Sequence, residues 1–529
     1  MVDFDASIDY DASHIEYADV PIGFARYQVL VDWNNDGDFS DSNEDITDDV
    51  LELTSQIGRD FASQLTGDSV AGSLEVSLKN NGGKYSPFNT SGALYGNLLP
   101  NREIQFACYY PSVVTLWTGF VESIMPEVEE GPHTIATLTA HGAFKKFATM
   151  TARVPQQTSE KTGDTIGEIL DAISWAGADR SIDDGQTTMT RFFASGNSLT
   201  AMREVEATEA GFLHETKDGK VAFEDRHHRL DTSTSTTSQA TFADDGTGFA
   251  YSGIRQADAM TLLYNEFTAP VTLYTTGSLA VLWTHPFAKT TGSAPVLQPG
   301  ESVEFIASYP NETTATDGAV SVDAWTTPAS STDYTTNAAS NGTGTDYTSS
   351  LTVSVSKASK TMVITITNGN ANVAYLTKFQ ARGTPITAQT VTMRAKDATS
   401  QTTYGVRSFP RESEAKWTPT QEEANNWCLF NLAAHKDPTA TITLTYSANQ
   451  STTALAEAME RDLSHRVTVK ASSRAKLGLS RDFFVESIRH RIIAGGGHTV
   501  TLGLSDSGGF TGFWVLGTSA LGQATRFTY

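Results

Sequence analysis

The segment Asp32-Trp-Asn34-Asn-Asp36-Gly37-Asp38 carries the best ligand chemistry in the chain. Carboxylate or amide oxygens fall at its first, third, fifth and seventh positions, and glycine at the sixth. That is how a calcium loop opens, because Ca2+ takes about six to eight hard oxygens around a tight turn. The twelfth position, where such loops place a bidentate glutamate, is Asn43, which leaves Asp41, Glu44 or Asp45 to replace it. A calcium ion held by Asp32, Asn34, Asp36 and Asp38 would be structural. The same residues also fit an acidic β-hairpin tip in which Asn35 to Gly37 supply the turn.

The remaining reactive side chains point away from catalysis. His227 and His228 follow Glu224-Asp225, but neighbouring histidines on a strand face opposite sides, so a solvated strand end is expected rather than a metal site. The chain has 2 cysteines, Cys108 and Cys428, far apart and in no nucleophile or thiolate motif, with Cys428 expected to face a helix core. No Gly-x-Ser-x-Gly elbow, His-Glu-x-x-His helix or phosphate loop occurs. Only two distant carboxylates converging in space would supply hydrolytic chemistry, so the chain is expected not to be an enzyme. Trp283, Tyr309, Trp325 and Tyr334 would stack on sugars if exposed and form a sandwich core if buried.

The elements that would position these residues are mostly strands. Tyr27–Val31, Ser73–Leu78, Ile135–Leu138, Val363–Thr367, Ile442–Tyr446 and His498–Leu502 alternate with period two and are rich in Val, Ile, Thr and Tyr. Asn80-Asn-Gly-Gly83 and Gly495–Gly497 mark turns. Helices are expected at Thr165–Ala176 with Asp164 as N-cap, at Asn197–Ala210 stopping at Gly211, from the capping box Thr420–Glu423 to Asp437-Pro438, and over about Thr453–Leu463. Asp231–Ala240 is nearly all Ser and Thr, a linker composition. From about Ser278 to Ala388 charge thins out while short strands continue, suggesting an inserted β-sandwich with a loose polar loop near Ala329–Ser350.

At 529 residues several domains are expected, and the net charge of −24 opposes a surface built to grip nucleic acid. An acidic channel would instead let DNA slide past. The N-terminal stretch is acidic without an apolar core, so no signal peptide is expected, and no run long enough to span a membrane occurs.

An internal repeat organises the rest. Phe120-Val-Glu-Ser-Ile124 recurs as Phe484-Val-Glu-Ser-Ile488, a shift of 364 positions, and Leu99, Arg102 and Ala107 meet Leu463, Arg466 and Ala471 at that shift. His133-Thr134 matches His498-Thr499 after one added residue. Two related antiparallel barrels follow, and a trimer of such chains would present six quasi-equivalent barrels.

The sequence resembles the hub, or minor tail, proteins of long-tailed bacteriophages, built on the baseplate-hub fold. The likeness rests on Val31–Phe39, Ala71–Asn80 with Gly83–Phe88, Leu98–Arg102 before Trp117–Glu122, Ala178–Asp183, Ala201–Glu204, Gly211–Leu213, Val221–Arg226, Tyr264–Glu266, Tyr404–Arg407 and Trp514–Gly517, taken in order. It implies a tube-like fold and a homotrimeric ring in the virion at the tail tip, assembled in the host cytoplasm. The implied partners are a tail tube or distal tail protein, the tape-measure protein and a tip or fibre protein, with DNA only as passing cargo during ejection. The alternative is a tail adhesin for host-surface carbohydrate or receptor. The expected architecture is mainly β with α+β elements: an arm at 1–22, a first barrel at 23–150, a small α+β domain at 151–235, linking strands at 236–277, the inserted sandwich at 278–388, a second barrel at 389–510 and a tail at 511–529.

Overall fold

The computed structural model describes residues 25–59, 69–128, 134–256, 260, 262–287, 294–310, 318–411 and 415–510. The arm at 1–22, His133 and the Trp514–Gly517 motif lie outside the described residues.

The fold is mainly β, and its frame is a sheet of twelve strands. In chain order these are β1 (Tyr27–Val31), β2 (Val50–Gly58), β3 (Ser73–Lys79), β4 (Glu103–Tyr109), β5 (Val113–Val128), β6 (Thr134–His141), β7 (Ser238–Ala243), β8 (Gly253–Gln256), β9 (Thr441–Ser447), β10 (Arg466–Ala471), β11 (Leu479–Ile493) and β12 (His498–Asp506). All six period-two segments singled out in the sequence are strands. Alternation explains why: in β3, Leu74, Val76 and Leu78 point inward and are buried, whereas Ser73, Glu75 and Lys79 are exposed.

The repeat is visible in the topology. Spatial order in the first half is β1-β4-β5-β6-β3-β2, and in the second β7-β10-β11-β12-β9-β8. Each strand has its counterpart six places on. The register repeats as well: β5 bulges against β6 between Val121 and Ser123, and β11 bulges against β12 between Val485 and Ser487. The bulged residues are Glu122 and Glu486, the centres of the two Phe-Val-Glu-Ser-Ile segments. Bulges re-aim a strand at a fixed point, so the five-residue identity and the shared kink belong to one inherited geometry. The copies differ in strand direction at one end: β1 runs antiparallel to β4, whereas β7 runs parallel to β10.

The two halves are one sheet because β2 pairs with β3 on one edge and with β11 on the other. They share one core, from Val29, Trp33 and Phe106 in the first half to Tyr446, Val469 and Leu502 in the second. Gly58 makes the crossing possible: its φ is +94°, and a Cβ there would sit 2.2 Å from the Glu486 carbonyl.

Between the halves lies an α+β unit. Helices Thr162–Ala172 and Ser198–Glu209 pack over the hairpin Phe212–Glu215 and Val221–Glu224, with Ile166, Met202 and Phe223 in their core. The first helix begins earlier than expected, with Lys161 rather than Asp164 as N-cap. The cause is local: Gly163 donates its N–H to the Asp184 carbonyl, anchoring the chain before Asp164. Asn197 caps the second helix, and Ala210, not Gly211, takes the left-handed conformation at its end. Gly211 is needed for a close approach instead, since a Cβ there would meet the Glu224 carbonyl at 2.6 Å.

The Ser/Thr-rich stretch expected as a linker is ordered. Ser233–Thr236 forms a helical turn and Ser238–Ala243 becomes β7, with Ser235 donating to the Ser464 carbonyl. Further on, a ribbon of Glu266–Thr276 against the far part of Ala374–Lys396 carries two packed sheets around Leu297, Trp325, Ile364 and Phe379. The expected loose loop near Ala329–Ser350 is pinned: Asp333 is fully buried and accepts two hydrogen bonds from Arg382. The helix Gln421–His435 packs Trp427 and Cys428 on the ribbon's base. Thr420 caps it as expected, but Glu423 completes no box and reaches instead to Thr187 and Arg226 of the α+β unit. No helix among the described residues is long and apolar enough to cross a membrane.

Candidate functional site

The Asp32 loop follows β1 and is closed by its own side chains. Asp32 is buried and its carboxylate accepts from the backbone N–H groups of Asn35, Asp36 and Gly37. Asn34 donates to Asp36 and Asp41, and Asp38 accepts from the Ser40 N–H and hydroxyl. Glu44 is buried, accepts from the N–H groups of Trp33 and Asp41, and has its carboxyl pushed up by burial. Asn35 and Gly37 take positive φ, the turn geometry that the hairpin reading requires. Among the described residues no group of three or more His, Cys, Asp or Glu side chains is placed to hold a metal ion. Calcium at Asp32, Asn34, Asp36 and Asp38 therefore rests on residue spacing.

A buried cluster of charged side chains lies at the junction of both halves with the α+β unit. Glu486, at the bulge of β11, is fully buried. Arg59, just past β2, donates to it at 2.7 Å, Arg229 donates at 2.6 and 3.1 Å, and Ser505 at 2.6 Å. Burial alone would push this carboxyl up, but Arg229 and Arg59 hold it far below the usual range. Both guanidiniums lie over aromatic faces, Arg59 on Phe212 at 4.0 Å and Arg229 on Phe484 at 4.8 Å. The network continues through Ser464, which accepts from Arg229 and donates to Glu224.

Glu224 is also paired with His214 at 3.2 Å. Burial opposes its charge, but His214, His228 and Arg229 bring its pKa down to about 2. His227 and His228 sit in a helical turn, not at a strand end, and His228 bonds Asp183 at 2.8 Å. The solvated-strand expectation is corrected: His228 is part of this ionic junction. A run ending in a short helix after Glu224 reverses the geometry that adjacent strand positions would impose. Nothing in the local sequence marks Glu486 as buried, because its copy Glu122 in the same five-residue segment is exposed and paired with Lys145. Arginines 59 and 229, which make the difference, lie hundreds of positions away.

Neither cysteine is set up as a nucleophile. Cys108 lies 4.0 Å from His498 Nδ1, and His498 bonds His490 at 3.0 Å, yet all three are buried. Burial pushes the Cys108 thiol far up and brings His498 down to about 4, opposite to what thiolate chemistry needs. Cys428 is buried too, its thiol pushed up to about 11. In the insertion, Tyr309, Trp325 and Tyr334 are buried and Trp283 is half-buried against Phe379 at 5.3 Å, so these aromatics form core. An open polar depression of about 600 Å3 beside the helix Thr162–Ala172 is lined by Glu160, Lys161, Asp164, Glu168 and Asp171.

No family model and no curated protein matches this sequence. Solved structures do resemble its fold. The 43 kDa tail protein of prophage MuSo2 from Shewanella oneidensis is 8% identical, with 91% of this chain and 99% of that one covered at a TM-score of 0.46. A tail protein from Neisseria meningitidis MC58 is 10% identical, covering 91% and 97% at 0.48. The E. coli c3393 protein, a component of the type VI secretion system described as structurally similar to the T4 tail proteins gp27 and gp5, is 6% identical, covering 87% and 73% at 0.35.

Proposed function

We infer that this chain is a structural subunit of a phage tail, a trimeric hub at the distal end of the tube. The observation that carries the reading is the repeat: one six-strand order, used twice in a single sheet, with the same bulge at Glu122 and Glu486. Two equivalent surfaces per chain let three chains offer six. Such a ring meets a six-fold tube on one side and a three-fold tip or fibre on the other. The chemistry agrees with a mechanical role. Both thiols are sealed, a charge cluster is buried as a clamp, and a net charge of −24 suits a passage that does not retain DNA. Tape-measure and tube or distal tail proteins are the neighbours this position requires. A structural calcium ion at the Asp32 loop belongs to the same proposal and would stiffen the β1 hairpin.

Deleting the gene in a producing phage is expected to stop tail assembly while heads still fill with DNA. Complete tails that merely fail to adsorb would contradict the hub reading.

A further inference from the structure

The second repeat is covered at a place where the first is bare. In β11 the far half, Gly503-facing Ser487 to Ile493, pairs with β12 on one edge and with β2 on the other. The far half of β5, Ser123–Val128, pairs with β6 on one edge and with no strand on the other among the described residues. Burial follows the pairing. Ile488 and His490 are buried beside β2, whereas their equivalents Ile124 and Pro126 are half-buried and exposed. Glu486 is sealed, and Glu122 is open to solvent.

The matching bare edge lies at the other end of the sheet. β8 is the counterpart of β2: Ile254 opposes Leu444 of β9 as Leu53 opposes Val76 of β3. β2 uses its second edge to hold β11, and β8 has no second strand among the described residues. Unpaired strand edges are templates for another chain.

We propose that β8 of one chain pairs antiparallel with the Ser123–Val128 edge of β5 in a second copy, repeating between chains the β2–β11 joint made within each chain. This rests on the ring reading above and gives the ring its contact. The register of β2 on β11, with Leu53 opposite Ile492 and Thr54 opposite Arg491, carries over directly. It sets Ile254 opposite Val128, Arg255 opposite Glu127 and Gln256 opposite Pro126. Arg255 and Glu127 are both exposed, and opposite charges directly across a strand pair attract. The joint within the chain carries an ion pair too, set diagonally across the two strands, Arg491 with Glu52 at 2.7 Å. Pro126 has no N–H, so only its carbonyl can bond, and a proline on a bare edge discourages indiscriminate pairing. The contact is head-to-tail, and with it every repeat in the ring holds its neighbour by equivalent strands.

The test places Arg255→Cys and Glu127→Cys in one full-length chain. Directly opposed antiparallel residues have Cα atoms about 4.5–5.5 Å apart, within the roughly 4.4–6.8 Å a disulfide spans. Cys108 and Cys428 are buried and do not compete. Mild oxidation is expected to give covalent dimers and trimers on a non-reducing gel, stopping at three chains, with neither single variant cross-linking. Light scattering on the same sample separates the failures. A three-chain particle without cross-links overturns this joint and leaves the ring. A monomer without cross-links overturns both. A ladder running past three chains keeps the joint and overturns the closed ring.

Discussion

Neutralising Glu486 and Glu122 in parallel measures what burial does to one inherited residue. Glu486→Gln keeps the side-chain volume, so no cavity term enters. It removes the carboxylate that Arg59 and Arg229 share and turns an amide N–H toward one of them. Breaking a buried pair while leaving the partner charge in place costs about 3–5 kcal/mol. Two guanidiniums are stranded here, so the upper part of that range is expected. At Glu122 the carboxylate is 44% exposed and its partner Lys145 47% exposed, and exposed pairs contribute about 0–1 kcal/mol. The two substitutions should therefore differ by at least about 2 kcal/mol, roughly a thirtyfold change in the unfolding equilibrium. Urea unfolding followed by tryptophan fluorescence reads the difference as a shifted midpoint at unchanged slope. Equal losses from both variants would refute the claim that Glu486 clamps the halves together.

Other outcomes follow from the same geometry. His214 is pulled down by burial but held above its ordinary value by Glu224, and Glu224 is held down at about 2. The histidine's contribution is full below its unfolded pKa and is lost as pH rises through the raised folded value; the glutamate's is full above its unfolded pKa and is lost as pH falls through about 2. Stability from this pair should thus be greatest between about pH 4.5 and 6.5, and His214→Gln should flatten the fall on the alkaline side of a pH series of unfolding midpoints. Neither Cys108 nor Cys428 should react with a thiol reagent until the chain is unfolded, which absorbance of the released chromophore reads directly. Calcium should raise the melting temperature of the wild-type chain and not of Asp36→Ala; identical curves with and without calcium would leave the Asp32 loop as a self-closed turn.

The strands were legible because alternation is local: β1 matches Tyr27–Val31 residue for residue. The repeat was legible because a bulge fixes a strand tightly enough to preserve its sequence. What escaped was set by distant partners. Glu122 and Glu486 look alike in sequence and differ only through Arg59 and Arg229. The Ser/Thr run at 231–240 carries no apolar pattern, yet its end from Ser238 becomes a strand by pairing with β10. His228 was misplaced because Asp183 and Glu224, not the local pattern, determine its setting. At the Asp32 loop, the spacing that suits calcium also suits a carboxylate that caps its own turn, and the structure displays the second use.

The central claim is a closed ring of three chains presenting six repeats. Imaging of the purified full-length protein, alone and with its tube partner, tests it most directly. A three-fold particle with six lobes of similar density around a central opening is expected. A two-fold dimer or an open helical filament would contradict it.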